Sequence, residues 1–317
     1  MRADSPSQVA IAVVSWNTRE LLAACLRSLE PEVTSGLAEV WVVDNASTDG
    51  SASLVRDGFG WAQLIALEEN VGFGPAVNLA AARTSAPWLA IANADIELTP
   101  GALPTLLAAG AADAAAGIVA PRLVLPGGAT QHSVYPFPTL PFTLAFNLGL
   151  GSLSRRLAEH WTLEGHWHGE RARAVDWAIG AFLLVRRAAW DSVGGFDGEQ
   201  WMYAEDLDLG WRCAAAGWGT RFEPAAVVRH HGAASTTQLW GDERDARWQR
   251  STYAWMLRRR GHAITRAFAL INTLGAAVRA LLAAVRRDRA GWRVMGRWTQ
   301  LHGSNLLAAR SELERHR

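Results

Sequence analysis

Lysine is absent from this 317-residue chain: all 31 basic side chains are arginine, set against 30 acids. That absence points to no function. Cysteine is almost as scarce. Two residues, Cys25 and Cys213, exclude a disulfide framework and a metal-finger spacing, so a reducing compartment is expected. The N-terminus runs from Met-Arg-Ala-Asp-Ser-Pro straight into a strand pattern, without the charged and apolar regions of a secretory leader. A cytoplasmic location is the expectation. A formal net charge of +1 argues against a general nucleic-acid binder. No internal repeat and no long low-complexity tract appears.

The charge that is present is divided unevenly. Residues 258–317 carry 13 Arg and 3 acids, a net of +10, and residues 1–257 carry 18 Arg and 27 acids, a net of −9. Such a split suggests chemistry in the first part and an anionic partner or surface for the second.

Val9–Trp16 is a continuous apolar run, as expected of a strand buried on both faces. Asn17, with Glu20 three residues on, reads as the cap of a helix over Thr18–Leu29 that Pro31 stops. Strands follow at Glu39–Val43, Trp61–Leu67, Trp88–Ala92 and Ile118–Leu123. Helices lie between them, ending near Arg56 and spanning Pro75–Thr84 and Ala102–Ala112. This alternation predicts stacked βαβ units around a mostly parallel sheet. Ligands bind such sheets beyond the carboxyl ends of the strands, so Asn17, Asp44 and Asp95 should converge on one crevice. Residues 124–175, rich in Pro, Gly, His and aromatics, read as an irregular insert over the site. Regular structure should return as a strand at Trp177–Arg186, a helix at Ala204–Ala216 and strands at Thr220–Phe222 and Ala226–His230. From about Leu239 onward the pattern is helical.

Several residues invite chemistry. Asp95, beside Asn93 at a strand end, can hold Mg²⁺ or Mn²⁺, hard cations that take oxygen ligands; a turn cap before Pro100 explains it equally. Glu205, Asp206 and Asp208 crowd a helix start. Acids favour that position anyway, yet one of the three could serve as a general base. His230–His231 ends a strand, where a structural role and a metal ligand both remain open. Gly72-Phe73-Gly74-Pro75-Ala76-Val77 matches only the first half of a dinucleotide fingerprint and does not directly follow a strand, so a dehydrogenase is not supported.

Taken together, VVSWNTRE (13–20), VVDNASTDGS (42–51), ENVGFGPAVN (69–78), NAD (93–95), GAFLLVRR (180–187), GGFDGEQWMYAEDLDLGWR (194–212) and HHGAAS (230–235) resemble the family-2 inverting glycosyltransferases of the GT-A fold. The phrasing is most similar to the bacterial rhamnosyltransferase subgroup and somewhat less to its galactofuranosyltransferase relatives. The resemblance implies a Rossmann-like α/β domain with a mostly parallel mixed sheet over 1–235 and a helical, basic region over 236–317. It implies a nucleotide-sugar donor (dTDP-rhamnose or a UDP-sugar), a divalent cation (Mg or Mn) and a glycan or polyprenyl-linked acceptor. Galactofuranosyl, glucosyl and GlcNAc transfer are the nearby alternatives. A sugar nucleotidyltransferase would need a Gly-rich basic loop where this chain has SWNTRE, and an inactive homologue would scatter Asp95 and Asp206.

By the same resemblance Asp44 hydrogen-bonds the donor's base, Trp16 and Asn17 frame the nucleotide, and Asn45 and Glu205 are further nucleotide-sugar-binding residues. Gly72 and Asn78 lie near ribose and diphosphate, Asn93 and Asp95 form the metal motif, and Glu205 and Asp206 form the pair whose Asp206 is the catalytic base. His230 completes the metal shell. Asn93 departs from the family's acid at that position and lowers the site's charge by one. The processive QxxRW motif is missing, since Val294 precedes Arg297-Trp298, which implies one sugar per encounter.

In the basic region, Ala263–Val285 is apolar but interrupted by Arg266 and Arg279, so a membrane span is not expected. An amphipathic helix on the anionic inner face of the plasma membrane is one reading. Packing against the catalytic domain or a homodimer partner is the other.

Overall fold

The computed structural model describes residues 7–164, 167–200, 203–232 and 244–307. It resolves into two compact units, one of Met1–Tyr135 with His168–Gly241 and one of Pro136–Trp167 with Asp242–Arg317. The expected boundary at 235/236 lies outside the described residues. The units cut the chain differently from a linear reading, because the middle of the 124–175 segment groups with the C-terminal helices.

The first unit is built on a nine-stranded sheet in the order β3-β2-β1-β4-β10-β6-β11-β5, with β8 paired to β11. The strands are β1 (Val9–Ser15), β2 (Ala38–Asp44), β3 (Gln63–Ala66), β4 (Trp88–Asn93), β5 (Ile96–Leu98), β6 (Ala116–Val124), β8 (Arg173–Val175), β10 (Phe182–Arg186) and β11 (Gly219–His230). Strands β3, β2, β1, β4, β6 and β11 run one way, and β10, β5 and β8 run against them. The mixed, mostly parallel α/β sheet expected from the alternation is therefore present. A second sheet pairs β7 (Val134–Tyr135) with β9 (Trp177–Ala178).

Helices α1 (Arg19–Thr34), α2 (Ser51–Gly58), α3 (Phe73–Ala81) and α4 (Ala102–Ala112) connect the early strands, and α8 (Arg187–Val193) and α9 (Glu205–Ala215) follow β10. β1 sits mid-sheet with Val9, Ile11 and Val13 fully buried. Leu22, Leu26 and Leu29 of α1 pack in the same core. Their spacing places them on one face of a 3.6-residue helix.

Four local expectations change. Pro31 lies inside α1 instead of stopping it. Lacking an N–H, Pro31 forgoes the bond to the carbonyl four residues back, and the ending carbonyls are taken by Ser35 N–H to Pro31 O (3.0 Å) and Gly36 N–H to Val33 O (2.9 Å). Asn17 is not the cap: Thr18 holds that place without a side-chain bond, and Asn17 sits at φ 51. Trp177–Arg186 is not one strand, because the chain leaves β7's partner at Ala178 and enters the main sheet at Phe182. Conversely, the two strands expected at 220–230 are one, β11, with a register irregularity between Glu223 and Val227 around Pro224, which has no N–H to pair.

The second unit holds α5 (Leu140–Asn147), α6 (Leu150–Leu153), α7 (Arg155–His160), α10 (Arg244–Val285) and α11 (Arg289–Leu307). α10 is broken at Gly261, whose φ of 78 and ψ of 172 turn the chain. Only glycine takes that conformation cheaply. Tyr253 and Phe268, from either side of the break, meet edge to face at 5.4 Å.

Candidate active site

Parallel pairing brings the polar strand ends of the first unit to one edge. Ser15 of β1 is in register with Asp44 of β2, and Val14 with Asn93 of β4. The loops after β1 and β2 are tied together there. Asn17 N–H donates to Ser47 Oγ (3.0 Å), Thr48 N–H donates to Asn17 Oδ1 (2.8 Å), and Asn45 N–H donates to Ser15 O (2.8 Å). Asn17 thus spends its amide on holding loops, in a left-handed conformation that asparagine tolerates. Half-buried Trp16 precedes it. Asp44 is buried and its Oδ1 accepts from Ser47 N–H (3.3 Å).

Asn45 anchors the glycine loop. Its Nδ2 donates to Asn70 Oδ1 (2.9 Å) and Gly72 O (3.2 Å), and its Oδ1 accepts from Val71 N–H (2.9 Å). Gly72, at φ 89, then opens α3. One turn on, Asn78 pairs twice with Phe196, donating to its carbonyl (2.9 Å) and accepting from its N–H (3.0 Å). That contact fixes the Gly194-Gly195 turn. A Cβ on Gly195 would stand 2.7 Å from both Asn78 Oδ1 and the Trp190 ring, at φ +72.

Asp95 follows β4 in a tight turn, and β5 then pairs antiparallel with β11, His230 opposite Ile96. This register sets buried His230 against buried Asp95, with Nε2 at 3.3 Å from Oδ1. Gln131 Oε1 lies 2.7 Å from His230 Nδ1. That contact orients the imidazole so that Nε2 faces the carboxylate. No described residue donates a hydrogen bond to Nε2. A ring nitrogen and a carboxylate oxygen set 3.3 Å apart in a buried site are donors that a divalent cation can share. Among the described residues no group of three or more His, Cys, Asp and Glu side chains surrounds a metal position. A cation here has two protein donors, which fits ions that fill the rest of their shell with phosphate and water. His231 goes elsewhere, its Nε2 at 2.6 Å from Glu97 Oε1.

The acidic cluster separates into two kinds. Asp208 is fully buried and ion-paired with Arg212 (2.6 Å), which also donates to Val193 O (2.7 Å), so this acid holds helices together. Asp206 accepts from the backbone N–H groups of Gly180 (3.0 Å, Oδ2) and Leu207 (2.8 Å, Oδ1). Ala181, next to Gly180, accepts the Asn93 N–H (3.0 Å). The break between β9 and β10 therefore brings Asp206 to the carboxyl end of β4. Tyr203 and Ala204, at φ 60 and 63, deliver the pair into α9. Left-handed non-glycine residues cost about 1–2 kcal/mol each and cluster at functional sites.

Burial pushes both carboxyl groups up from their ordinary range. For Glu205 the nearby Asp206 charge adds to burial, and Oε2 has no hydrogen-bond partner among the described residues. For Asp206 burial is the largest influence, opposed by the Gly180 and Leu207 amides. The environments push the two apart, so Glu205 holds its proton to higher pH and Asp206 ionises first. That leaves one carboxylate able to accept a proton.

Of the residues singled out in the sequence, Asn17, Asp44, Asn45, Gly72, Asn93, Asp95, Asp206 and His230 gather at this edge. Gln131, Asn70, Gly180 and Phe196 were not singled out. Gln131 lay in the segment taken for an irregular insert, and Gly180 lay inside what read as one strand. A glycine interrupting an apolar strand run was the available signal for the second.

An α/β sheet with a glycine loop, an acid turn and an acidic helix start at its carboxyl edge is the GT-A arrangement. A family model described as glycosyl transferase family 2 matches residues 10–156, and one described as glycosyl transferase family group 2 matches residues 154–307. The N-acetylglucosaminyl-diphospho-decaprenol L-rhamnosyltransferase of Mycobacterium tuberculosis is 32% identical over 248 residues, 69% of this chain and 79% of that one. The chain belongs to glycosyltransferase family 2 and is a glycosyltransferase. Rhamnosyltransferase WbbL of Escherichia coli is 30% identical over 132 residues, 41% of this chain and 46% of its own length. In fold, the chain is similar to the mannosyltransferase PcManGT from Pyrobaculum calidifontis in complex with GDP-Man and Mn²⁺. The TM-score is 0.60 at 20% identity, over 98% of this chain and 89% of that one.

Proposed function

We propose that this glycosyltransferase moves one rhamnosyl unit from a nucleotide-sugar donor, dTDP-rhamnose before UDP-sugars, to a hydroxyl of a polyprenyl-diphosphate-linked glycan, inverting the anomeric centre. The names of its rhamnosyltransferase relatives support the sugar, and that of the mycobacterial one supports the acceptor class. The observation that carries the chemistry is the Glu205–Asp206 pair, with Asp206 held by the Gly180 amide beside the Asn93–Asp95 turn.

In this reading Asp44 and Asn45 recognise the base, and Trp16 and Asn17 frame the nucleotide. The Gly72 loop and Asn78 shape the ribose and diphosphate pocket, with Asn93 beside it. Asp95 and His230 would hold Mg²⁺ or Mn²⁺, which when bound neutralises charge on the departing diphosphate. Asp206 takes the proton from the acceptor hydroxyl as its oxygen bonds to the anomeric carbon. The bond from that carbon to the diphosphate oxygen breaks on the opposite face, and the nucleoside diphosphate leaves with its electron pair. A positioned base of this kind is worth about 10²–10⁴-fold. Protonated Glu205 keeps a second negative charge away from Asp206.

A thermal-shift screen of dTDP-, UDP- and GDP-sugars with and without Mn²⁺ or Mg²⁺ tests the donor class. A donor at 100-fold its Kd stabilises by about 2.7 kcal/mol. A shift with dTDP-rhamnose that metal enlarges is expected. Silence with every nucleotide would overturn the reading, and a shift only with another nucleotide sugar would overturn the choice of rhamnose.

A further inference from the structure

Inside the second unit, α10 has two unlike faces beyond Gly261. At about 100° per residue, Leu270, Leu274, Val278, Leu281, Leu282 and Val285 fall within an arc of about 120°. They are 45–66% exposed, and Val285 74%. Arg279, which interrupts this apolar stretch in the sequence, lies outside that arc, about 120° from its centre. Its guanidinium donates to Asn147 Oδ1 of α5 (2.8 Å) and lies 5.8 Å from the centre of the Phe146 ring. Asn147 also donates to Asn272 Oδ1 (3.0 Å). The inward face is thus occupied by polar contacts with α5, and the outward face is an unbroken apolar stripe.

The stripe ends in charge. Arg286, Arg287, Arg289 and Arg293 are exposed around the turn into α11, with exposed Trp292 among them. Across residues 258–307 the single acid is Asp288, and its Oδ1 is used to accept the Gly291 N–H (2.9 Å) at the start of α11. α10 is long and apolar enough to cross a membrane by length and composition. A span, however, would put Arg279, Asn272 and Asn147 at membrane depth, where polar groups are expensive.

We infer that the outward face of α10 docks on an anionic lipid bilayer, lying in the headgroup region with the Arg286–Arg293 corner on lipid phosphates. An apolar stripe bounded by arginines and a tryptophan matches that interface. A second copy of this chain would bring a like-charged corner against this one, which disfavours it as the occupant.

Co-sedimentation of the full chain with vesicles tests this. Vesicles of phosphatidylcholine alone are compared with vesicles that also contain phosphatidylglycerol, at low and raised salt. The wild type should pellet with the anionic vesicles and lose binding with salt. Both L274E/L281E and R286Q/R287Q/R289Q/R293Q should weaken that binding about tenfold or more, at unchanged helix content by circular dichroism. The arginine set removes no apolar surface, so it keeps the test open should the leucine pair fail to fold. Equal pelleting of wild type and the arginine variant would overturn the inference, as would a wild type that stays in the supernatant. A dimer in light scattering that L274E/L281E dissociates, without any vesicle binding, would assign the face to a second copy.

Discussion

The backbone N–H of Gly180 donates to Oδ2 of Asp206 across 3.0 Å. Through this bond a residue of α9 is held at the edge where β1, β2 and β4 end, because Ala181 accepts the Asn93 amide one residue further along. The carboxylate is thereby oriented by backbone, and its two amide donors oppose the rise that burial imposes on it.

That balance gives transfer a pH dependence. A base must be deprotonated, and burial raises the Asp206 carboxyl above the ordinary range near 4. Transfer should fall as pH drops through that raised value, leaving an acidic limb displaced upward from an ordinary carboxylate. The pH profile of kcat/KM measures it. A flat profile down to ordinary carboxylate pH would contradict the role.

Glu205 should show itself in stability. Its folded-state carboxyl is raised by burial and by Asp206, so the native state binds more protons than the unfolded one between the ordinary and raised values. The stability linked to that proton is complete below the ordinary carboxylate value and is lost as pH rises through the raised one. Glu205→Gln should therefore raise Tm at neutral pH and flatten Tm against pH over that window. A neutral-pH Tm below wild type would contradict it.

Asp208 should behave in the opposite manner. Removing it leaves Arg212 largely buried without its closest anion, and breaking such pairs costs about 3–5 kcal/mol. Asp208→Ala should lose stability of that order in urea melts, whereas Asp206→Asn should lose far less.

Gln131 Oε1, 2.7 Å from His230 Nδ1, orients the ring that turns Nε2 toward Asp95. Gln131→Leu should weaken Mn²⁺ binding in the presence of a nucleoside diphosphate about 10–100-fold, the usual scale for outer-sphere partners. Asn93→Asp should strengthen it by restoring a charge. Electron paramagnetic resonance of Mn²⁺ reads both without turnover. If wild type binds no Mn²⁺ the metal reading fails; if Gln131→Leu binds as wild type does, only the role of Gln131 fails.

Much of this was legible in the sequence. Continuous apolar runs ending in Asn, Asp and Ser marked β1, β2 and β4 and their functional ends, since strand burial and loop polarity are local properties. What the sequence hid depends on tertiary placement. Asp208 and Asp206 are two residues apart and alike in composition, yet one meets Arg212 and the other a backbone amide from residue 180. Gln131 acquires its partner only because its N–H donates to Leu123 O of β6 and β6 pairs with β11 in one register. Arg279 looked like a break in an apolar helix until α5 was seen to occupy its side. Pro31 misled for a simpler reason: it forfeits one i→i−4 bond, yet the helix runs on to Thr34.

Asp206→Asn puts the central assignment most directly at risk. Transfer from the nucleotide-sugar donor to a polyprenyl-diphosphate-linked acceptor is measured alongside donor affinity. The substitution should lower turnover about 10²–10⁴-fold while donor Kd stays close to wild type. Turnover at the wild-type rate would contradict Asp206 as the base.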